Sequence, residues 1–422
     1  MRRTKGALLQ LGILILAASL PLAARNTLQN RQALLLKDAL KHRGDAQAVV
    51  DIYQAFGLRE DVPDKALLRS TLEKIAQSPG SNAEVAAHAE NLLAFLDRQA
   101  GLWNKAAGRY RKLGLVRTWE VIGPFSDENK SGYDTKYPPE KDLDLKGAWE
   151  GKTEKVSWRV YPQYPSDPVI RLGAVLDPSD KAAGYALAFV QAKRRTSCVI
   201  RGAYDEAYKL WVNGEQVGGA KDYNGASFDQ YADACTLSAG WNVLLVKVCN
   251  QEGNWDFSLR LTDARGRALR NIKTAAIPED VTEHLSHILK KDGRAPQGFR
   301  FFDPGRVLEK RAAVGGSGKA EELLGLYRYY ERNFDKGAAL DSAALRKAAA
   351  KLPKDPQVWI ELGDAEADHN HRRAAYAKAL DLAPGSAQAL ERMGQYYLRR
   401  RMTLKAMEYL NKSVQASPGC LA

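Results

Sequence analysis

The sequence of 422 residues has few of the features that catalysis requires. It contains no Gly-x-Ser-x-Gly elbow, no His-Glu-x-x-His helix, no phosphate-binding glycine loop and no Cys-x-x-Cys pair. We therefore expect no enzyme activity, no catalytic residue, no metal site and no cofactor. Cysteine is also scarce, and in an oxidising compartment two of the four thiols could pair. The sequence leaves that pairing open among Cys198, Cys235, Cys249 and Cys420.

A concentrated basic surface is missing as well, although the net charge is +13. Proteins that bind nucleic acid usually gather Lys and Arg on one face, beside aromatic rings that stack on bases. Here the basic residues are spread along the chain, and the closest run, YYLRRR at residues 396–401, is interpreted as a solvated helix face. We expect no nucleic-acid partner.

The first 24 residues have the order of a secretory signal peptide. Three basic residues within the first five positions precede an apolar stretch over residues 7–20, and small residues follow up to Ala24. This order predicts export to a bacterial periplasm or cell envelope, with cleavage near Ala24. An uncleaved anchor is the alternative, because residues 7–24 are just long enough to cross a bilayer.

Residues 25–115 have the periodicity of α-helices, with apolar side chains three and four positions apart and glycine at the segment ends. One segment opens at Ser81 and carries Glu84 three positions later, which is the spacing of a capping box. Short loops between the segments predict antiparallel neighbours, as in an α-solenoid. We therefore expect a helical, repeat-like N-terminal region.

At Val116 the period changes to that of β-strands. Short alternating runs, divided by Gly, Asn, Asp and Pro, predict a β-sandwich or jelly roll over residues 116–270. In LWVNGEQV the dipeptide Asn213-Gly214 predicts a tight hairpin turn, because both residues tolerate positive φ. Six of the eight tryptophans fall in this region, which suits either a sugar-binding platform or a packed core.

The runs YKLWVNGEQVGG, GWNVLLVKV and WDFSLRLTDARG resemble the galactose-binding-like jelly roll, which serves as the sugar-binding domain of many glycosidases. In that family these strands are scaffold, and the ligand contacts loops at one end of the sandwich. The resemblance implies a carbohydrate as a candidate partner. Its candidate contacts here are Tyr204, Asp205, Trp211 and Tyr223. For Trp211, packing is the commoner role at such a strand position.

The helical period returns in a connector and linker over residues 271–318 and continues over residues 319–422. Two segments there resemble tetratricopeptide (TPR) repeats, which are helix-turn-helix units with a 34-residue period. The clearest repeats cover residues 356–384 and 385–418, and each ends in a proline. The resemblance implies an α-solenoid whose groove binds a protein or peptide.

The first of these repeats departs from the family pattern. It has Glu366 where an aromatic residue is usual, and it is about three residues short between its helices. The shortening falls at DHNHRR, which we interpret as a polar turn rather than a metal site.

The whole order of domains resembles large secreted bacterial proteins that continue into a transglutaminase-like domain. The runs WEVIGPF and YPPE are similar to the entry of the sandwich in those proteins. The resemblance implies that this chain is the non-catalytic front part of such a protein, or a stand-alone relative.

Two functions follow from these patterns. The first is an exported, non-catalytic scaffold that binds a protein or peptide through TPR repeats, and the alternative is a carbohydrate-binding protein of the cell envelope. Few residues follow the last repeat, so we expect the apolar face of its final helix to be partly uncovered. That face should bind a partner or a second copy of the chain, and it carries Leu404, Met407 and Leu410.

Overall fold

The computed structural model describes residues 22–60, 62, 65–162, 164, 167–278, 281, 284–332 and 342–416. The predicted signal peptide falls largely on residues 1–21, which lie outside these ranges. Within the described ranges the helices are α1 Leu22–Lys41, α2 Gln47–Gly57, α3 Ala66–Gln77, α4 Ala83–Gln99, α5 Trp103–Leu113, α6 Pro138–Lys141, α7 Leu285–Ile288, α8 Pro304–Gly315, α9 Gly318–Arg332, α10 Ala343–Lys351, α11 Pro356–Ala365, α12 His369–Leu382, α13 Ala387–Arg399 and α14 Thr403–Ala416.

The strands lie between α5 and α7 in the chain, and every pair among them is antiparallel. They are β1 Glu120–Ser126, β2 Ala148–Glu150, β3 Lys155–Ser157, β4 Arg159–Val160, β5 Ile170–Arg171, β6 Ala182–Ala192, β7 Thr196–Tyr204, β8 Tyr208–Val212, β9 Glu215–Ala220, β10 Tyr231–Leu237, β11 Gly240–Asn250, β12 Asp256–Thr262 and β13 Ile272–Ala275. Helices and antiparallel sheets thus occur together, which confirms the predicted multidomain α+β layout.

The chain divides into two compact units. The first unit comprises residues 1–75, 304–329 and 339–422, and its described part is helical. The second takes residues 76–303 and 330–338 and contains the sheets. Within the described residues, none of the helices has both the length and the apolar character needed to span a bilayer.

In the first unit, three successive helices begin at side-chain caps. Asp355 accepts a hydrogen bond from the Gln357 amide at the start of α11, and Asp368 accepts from two amides at the start of α12. Ser386 caps α13 in the same way. Such caps satisfy amides that have no partner within the helix, so they fix where each helix starts. The polar turn predicted at DHNHRR is therefore the cap of α12.

Helix α8 and the start of α9 fall within residues 271–318, the predicted connector and linker, so the C-terminal end of that segment is helical. Leu308 and Ala312 of α8 are buried, as are Leu323 and Leu324 of α9. This burial of apolar side chains outweighs the low helix propensity of the glycines at the helix ends.

The second unit is built on two larger sheets. The seven-stranded sheet has the order β4-β1-β6-β11-β8-β9, with β13 also paired to β6, and the four-stranded sheet has the order β10-β7-β12-β5. Side chains from both sheets share one core, which includes Trp119 and Trp255. A second core covers the opposite face of the seven-stranded sheet and includes Trp211. The tryptophans of the region therefore serve mainly in packing.

The predicted hairpin is confirmed at Asn213 and Gly214. Both have positive φ, 53° and 81°, and Val212 pairs with Glu215 across the turn. The buried Asn213 side chain accepts from the Val243 amide at 2.9 Å and donates to Asn242 Oδ1 at 2.9 Å. The turn residue therefore also fixes the neighbouring strand β11.

The start of α4 differs from the predicted capping box. Asn82, rather than Ser81, is the cap, and its side chain accepts from the Glu84 amide at 2.8 Å. The Glu84 side chain is fully buried and contacts arginines of the sheets instead of the helix end. Helices α4 and α5 consequently belong to the same compact unit as the sheets.

Candidate functional site

The first unit contains a groove of about 500 Å³ among helices α9, α11, α12 and α13. Polar, basic and aromatic side chains line it. They are Tyr329, Asp364, His369, Arg372, Tyr376, Arg392, Gln395, Tyr396, Arg399 and Arg400.

Asp364 organises the centre of this groove. Its Oδ1 accepts a hydrogen bond from Tyr376 Oη at 2.8 Å, and it lies 2.9 Å from Arg392 Nε. The three residues come from α11, α12 and α13. Burial and the nearby carboxylate raise the pKa of Tyr376, and the same carboxylate raises the pKa of Arg392. Tyr376 therefore stays neutral and Arg392 stays charged, and their contacts with Asp364 hold the three helices together.

The remaining arginines of the groove make fewer hydrogen bonds with the described part of the protein. Arg372 donates from Nη2 to the Glu366 carbonyl, while its buried Nε has no hydrogen-bond partner among the described residues. Arg399 and Arg400 are exposed, and the Arg400 guanidinium lies 5.8 Å from the centre of the Tyr396 ring. Four guanidinium groups thus face a single carboxylate in the lining, so the groove has a positive potential.

The arrangement suits a ligand that carries carboxylates. Guanidinium groups bind carboxylates through paired, charge-assisted hydrogen bonds, and tyrosine rings supply apolar contact area with a polar tip. The sequence pattern does not predict this groove, because residues 396–401 fit a solvated helix face equally well. The signal that could have found it is the spacing of Arg392, Gln395, Tyr396 and Arg399, which recur three and four positions apart on one helix face.

The structure does not bring the four candidate ligand residues of the sandwich together. Tyr204 is 1% exposed and stacks on Tyr208, with 3.8 Å between the ring centres. Trp211 is buried in the other core of the unit. Both side chains are buried, because each belongs to a strand whose aromatic residues fill a core.

Asp205 and Tyr223 lie in loops at one end of the sandwich. The Asp205 amide donates to the Asp256 carbonyl at 2.8 Å, and the next residue, Glu206, donates from its amide to the Asn224 carbonyl at 2.7 Å. The Tyr223 ring is half-buried, with Lys130 Nζ 4.1 Å from its centre. Burial raises the pKa of Glu206 to about 7, so this loop end carries a carboxyl group that titrates near neutral pH.

A second cluster in this unit has the composition of a metal site. Ligand atoms of Glu84, His88 and Asp229 lie within 4.8 Å of one another, and all three residues are buried. However, Arg260 donates to Glu84 Oε2 at 2.8 Å and to Asp229 Oδ2 at 2.8 Å, and Arg201 Nε lies 3.1 Å from Glu84. Two guanidinium groups already occupy Glu84 Oε2 and both carboxyl oxygens of Asp229, and they would repel a cation. The cluster is better described as a buried ion-pair network.

The final helix places its three predicted contact residues differently. Leu404 is 85% exposed and Met407 is 55% exposed, whereas Leu410 is half-buried and packs close to Gly394 of α13. The predicted apolar face of α14 is therefore exposed at Leu404 and Met407, and Val414 of the same helix is exposed as well.

No protein-family model matches the chain, and no curated protein matches it significantly. Among solved structures the chain is similar to MamA at 23% identity, over 27% of this chain and 66% of that chain, with a TM-score of 0.24. This chain therefore spans slightly less than two thirds of the length of MamA. It is also similar to a family 35 carbohydrate-binding module from an environmental isolate, at 15% identity over 24% of this chain and 78% of that chain, with a TM-score of 0.20. Similarities this low carry no argument about function.

Proposed function

We propose that this protein is an exported, non-catalytic scaffold whose helical unit is a TPR array that binds an acidic segment of a protein or peptide. The observation that carries the proposal is the lining of the groove, where four arginines and three tyrosines surround one carboxylate. In this proposal the sheets form a jelly roll that supports the array, and the chain has no enzyme activity of its own. The tripartite N-terminal sequence is the basis for export.

The chemistry of the lining determines the ligand that is proposed. Asp364 already pairs with Arg392 and Tyr376, so it does not neutralise the other three arginines. A segment with two or more carboxylates offers charged acceptors to Arg372, Arg399 and Arg400. An extended segment also presents apolar side chains to the tyrosine rings. Binding should weaken as salt screens these contacts.

A binding titration tests the proposal. Fluorescently labelled peptides of equal length, one rich in Glu and one with Gln at the same positions, are titrated with the purified protein. We expect only the Glu peptide to bind, and binding to fall at least about tenfold in the variant Arg399→Ala/Arg400→Ala, which removes two charge-assisted contacts. Both residues are exposed, so their removal should leave the fold intact.

The variant Arg373→Ala/Lys378→Ala is the matched control. These residues are exposed on α12 outside the groove, and the same number of positive charges is lost. Equal loss of binding in both variants would mean that net charge alone attracts the peptide. That outcome, or equal binding of the Glu and Gln peptides, would contradict the proposal.

Carbohydrate binding by the sandwich remains the second candidate, supported by the polar loop end that carries Asp205 and Tyr223. If it is correct, a glycan array should show binding that Tyr223→Ala abolishes. Tyr164→Ala is the control, because Tyr164 is exposed elsewhere on the same unit. Binding that survives Tyr223→Ala would remove this loop end from consideration.

We also propose that the exposed face of α14 contributes to binding of a partner or of a second copy of the chain. Leu404 and Met407 are the apolar side chains that such a contact would cover. Light scattering should then show a smaller particle for Leu404→Lys/Met407→Lys than for the wild type. Val314→Lys is the control, because Val314 is 89% exposed on α8. A monomer in every case would contradict self-association.

A further inference from the structure

Cys198 and Cys235 face each other across the pairing of β7 with β10. The register places Cys235 directly opposite Cys198, and their sulfur atoms are 3.3 Å apart. Both side chains are completely buried, in the core that the two larger sheets share.

The backbone geometry at this position permits a covalent link. Directly opposite residues of antiparallel strands have Cα atoms about 4.5–5.5 Å apart, which lies within the roughly 4.4–6.8 Å that disulfides span. The sulfur atoms would need to approach from 3.3 Å to about 2.05 Å. Rotation of the two side chains supplies most of that movement, so the strands can keep their register.

The position of Cys249 separates it from this pair. Cys249 lies on β11 and belongs to the core on the opposite face of the seven-stranded sheet. The backbone of that sheet therefore stands between Cys249 and the other two thiols. Cys420 lies outside the described residues.

We propose that Cys198 and Cys235 become joined by a disulfide when the chain folds in the presence of a small-molecule or protein disulfide. One cysteine thiolate attacks a sulfur of the oxidant, forms a mixed disulfide and releases the first oxidant thiolate. The second cysteine thiolate then attacks the bound cysteine sulfur and releases the other oxidant thiolate. The two cysteine thiols lose their protons to these leaving groups, and the oxidant is reduced to two thiols.

The timing of the reaction follows from burial. Contact with the Cys198 thiol and burial together raise the pKa of Cys235, so the thiolate is rare once the core has closed. Exchange should therefore occur before β10 docks on β7, and the folded, reduced protein should react slowly. This inference does not depend on what the helical groove binds.

Refolding followed by peptide mapping tests the link. The protein is reduced and denatured, refolded with a mixture of reduced and oxidised glutathione, treated with an alkylating reagent and digested with trypsin without reduction. The positions of Lys and Arg place the three sheet cysteines in separate tryptic peptides, residues 196–201, 222–247 and 248–260. Mass spectrometry can therefore distinguish every pairing among them.

We expect a species that joins peptides 196–201 and 222–247 and lacks two hydrogen masses relative to their sum. Cys249→Ser should retain this species, whereas Cys198→Ser should leave peptide 222–247 alkylated. The oxidised protein should also unfold at a higher urea concentration than the same sample after reduction. Complete alkylation of both cysteines after refolding with oxidised glutathione, or a link that uses peptide 248–260, would overturn the proposal.

Discussion

Arg260 of β12 donates a hydrogen bond from Nη2 to Glu84 Oε2 at 2.8 Å, and both side chains are buried. The contact joins helix α4 to the four-stranded sheet within one compact unit. Asp229 shares the same guanidinium group, and Arg201 approaches the same carboxyl oxygen. In the unfolded chain these four side chains are hydrated, and in the folded chain they form hydrogen bonds and ion pairs with one another instead. The loss of one therefore leaves the others buried without a partner.

Replacement of Glu84 should show the cost of leaving these arginines without their acceptor. We expect Glu84→Leu to lower the free energy of unfolding of the second unit by about 3–5 kcal/mol, the usual cost of removing the partner of a buried charged group. Glu84→Gln retains an acceptor oxygen and should cost less than half as much. Urea titrations followed by tryptophan fluorescence measure both. A small, equal loss in the two variants would mean that the arginines find other acceptors.

The same cluster should make stability depend on pH in two opposite ways. Burial raises the pKa of Glu84 from 4.5 to about 8, so the folded chain holds a proton that the unfolded chain releases between these values. The free energy of unfolding then falls as pH rises through that window. Burial lowers the pKa of His88 from 6.5 to about 4, so stability falls as pH decreases between those values.

Of the two shifts in this cluster, only that of Glu84 acts between pH 6.5 and 8, and it should raise the free energy of unfolding by up to about 2 kcal/mol as the pH falls through this range. Glu84→Gln should remove this rise. In His88→Leu the rise should continue down to about pH 4.5, because the opposing contribution is gone. Urea midpoints at a series of pH values provide the test, and a wild-type profile that is flat from pH 6.5 to 8 would contradict it.

Gly363 should not tolerate a side chain even though it lies within α11. A Cβ atom there would lie 2.3 Å from Cε1 of Tyr376, whose hydroxyl is bonded to Asp364. We expect Gly363→Ala to lower the free energy of unfolding of the first unit by about 1–3 kcal/mol. The control is Gly108→Ala in α5, where the nearest atom lies 3.9 Å away and better helix propensity should stabilise by up to about 1 kcal/mol. Stabilisation by both substitutions, measured by circular dichroism in urea, would show that Tyr376 can move aside.

Asp364→Asn tests whether the negative charge of Asp364 weakens the binding of an acidic peptide or is needed for it. The amide keeps an acceptor for Tyr376, while the charge that opposes an acidic peptide disappears. We expect the Glu peptide to bind about fivefold more tightly, from a contribution of about 1 kcal/mol for a charge pair near water. The Gln peptide serves as the control and should not respond. Weaker binding of the Glu peptide would mean that Asp364 positions Arg392 for the ligand.

Local patterns predicted the parts of the fold that depend on neighbouring residues. The change of period at Val116 located the sheets, and the positive φ tolerated by Asn213 and Gly214 located the hairpin. Glu84 was misinterpreted as a cap because its spacing from Ser81 is a local signal. Its actual partner, Arg260, lies 176 residues away in sequence, and no local pattern encodes a contact over that distance.

The groove was missed for a related reason. Arg392 and Arg399 follow ordinary helical spacing, and a solvated helix face has the same pattern. Packing against the neighbouring helices α9, α11 and α12, which supply Tyr329, Asp364 and Tyr376, makes that face concave.

Because Glu84 and Arg260 are far apart in sequence, they leave the ribosome at different times during synthesis of the protein. Glu84 leaves the ribosome first, followed by Arg201, Asp229 and finally Arg260. Until the last of these has emerged, the carboxyl group of Glu84 is best solvated by water, and α4 gains little by closing over the sheets. The helix that comes early in the chain should therefore be one of the last elements to reach its place, after the strands that carry its arginine partners have paired.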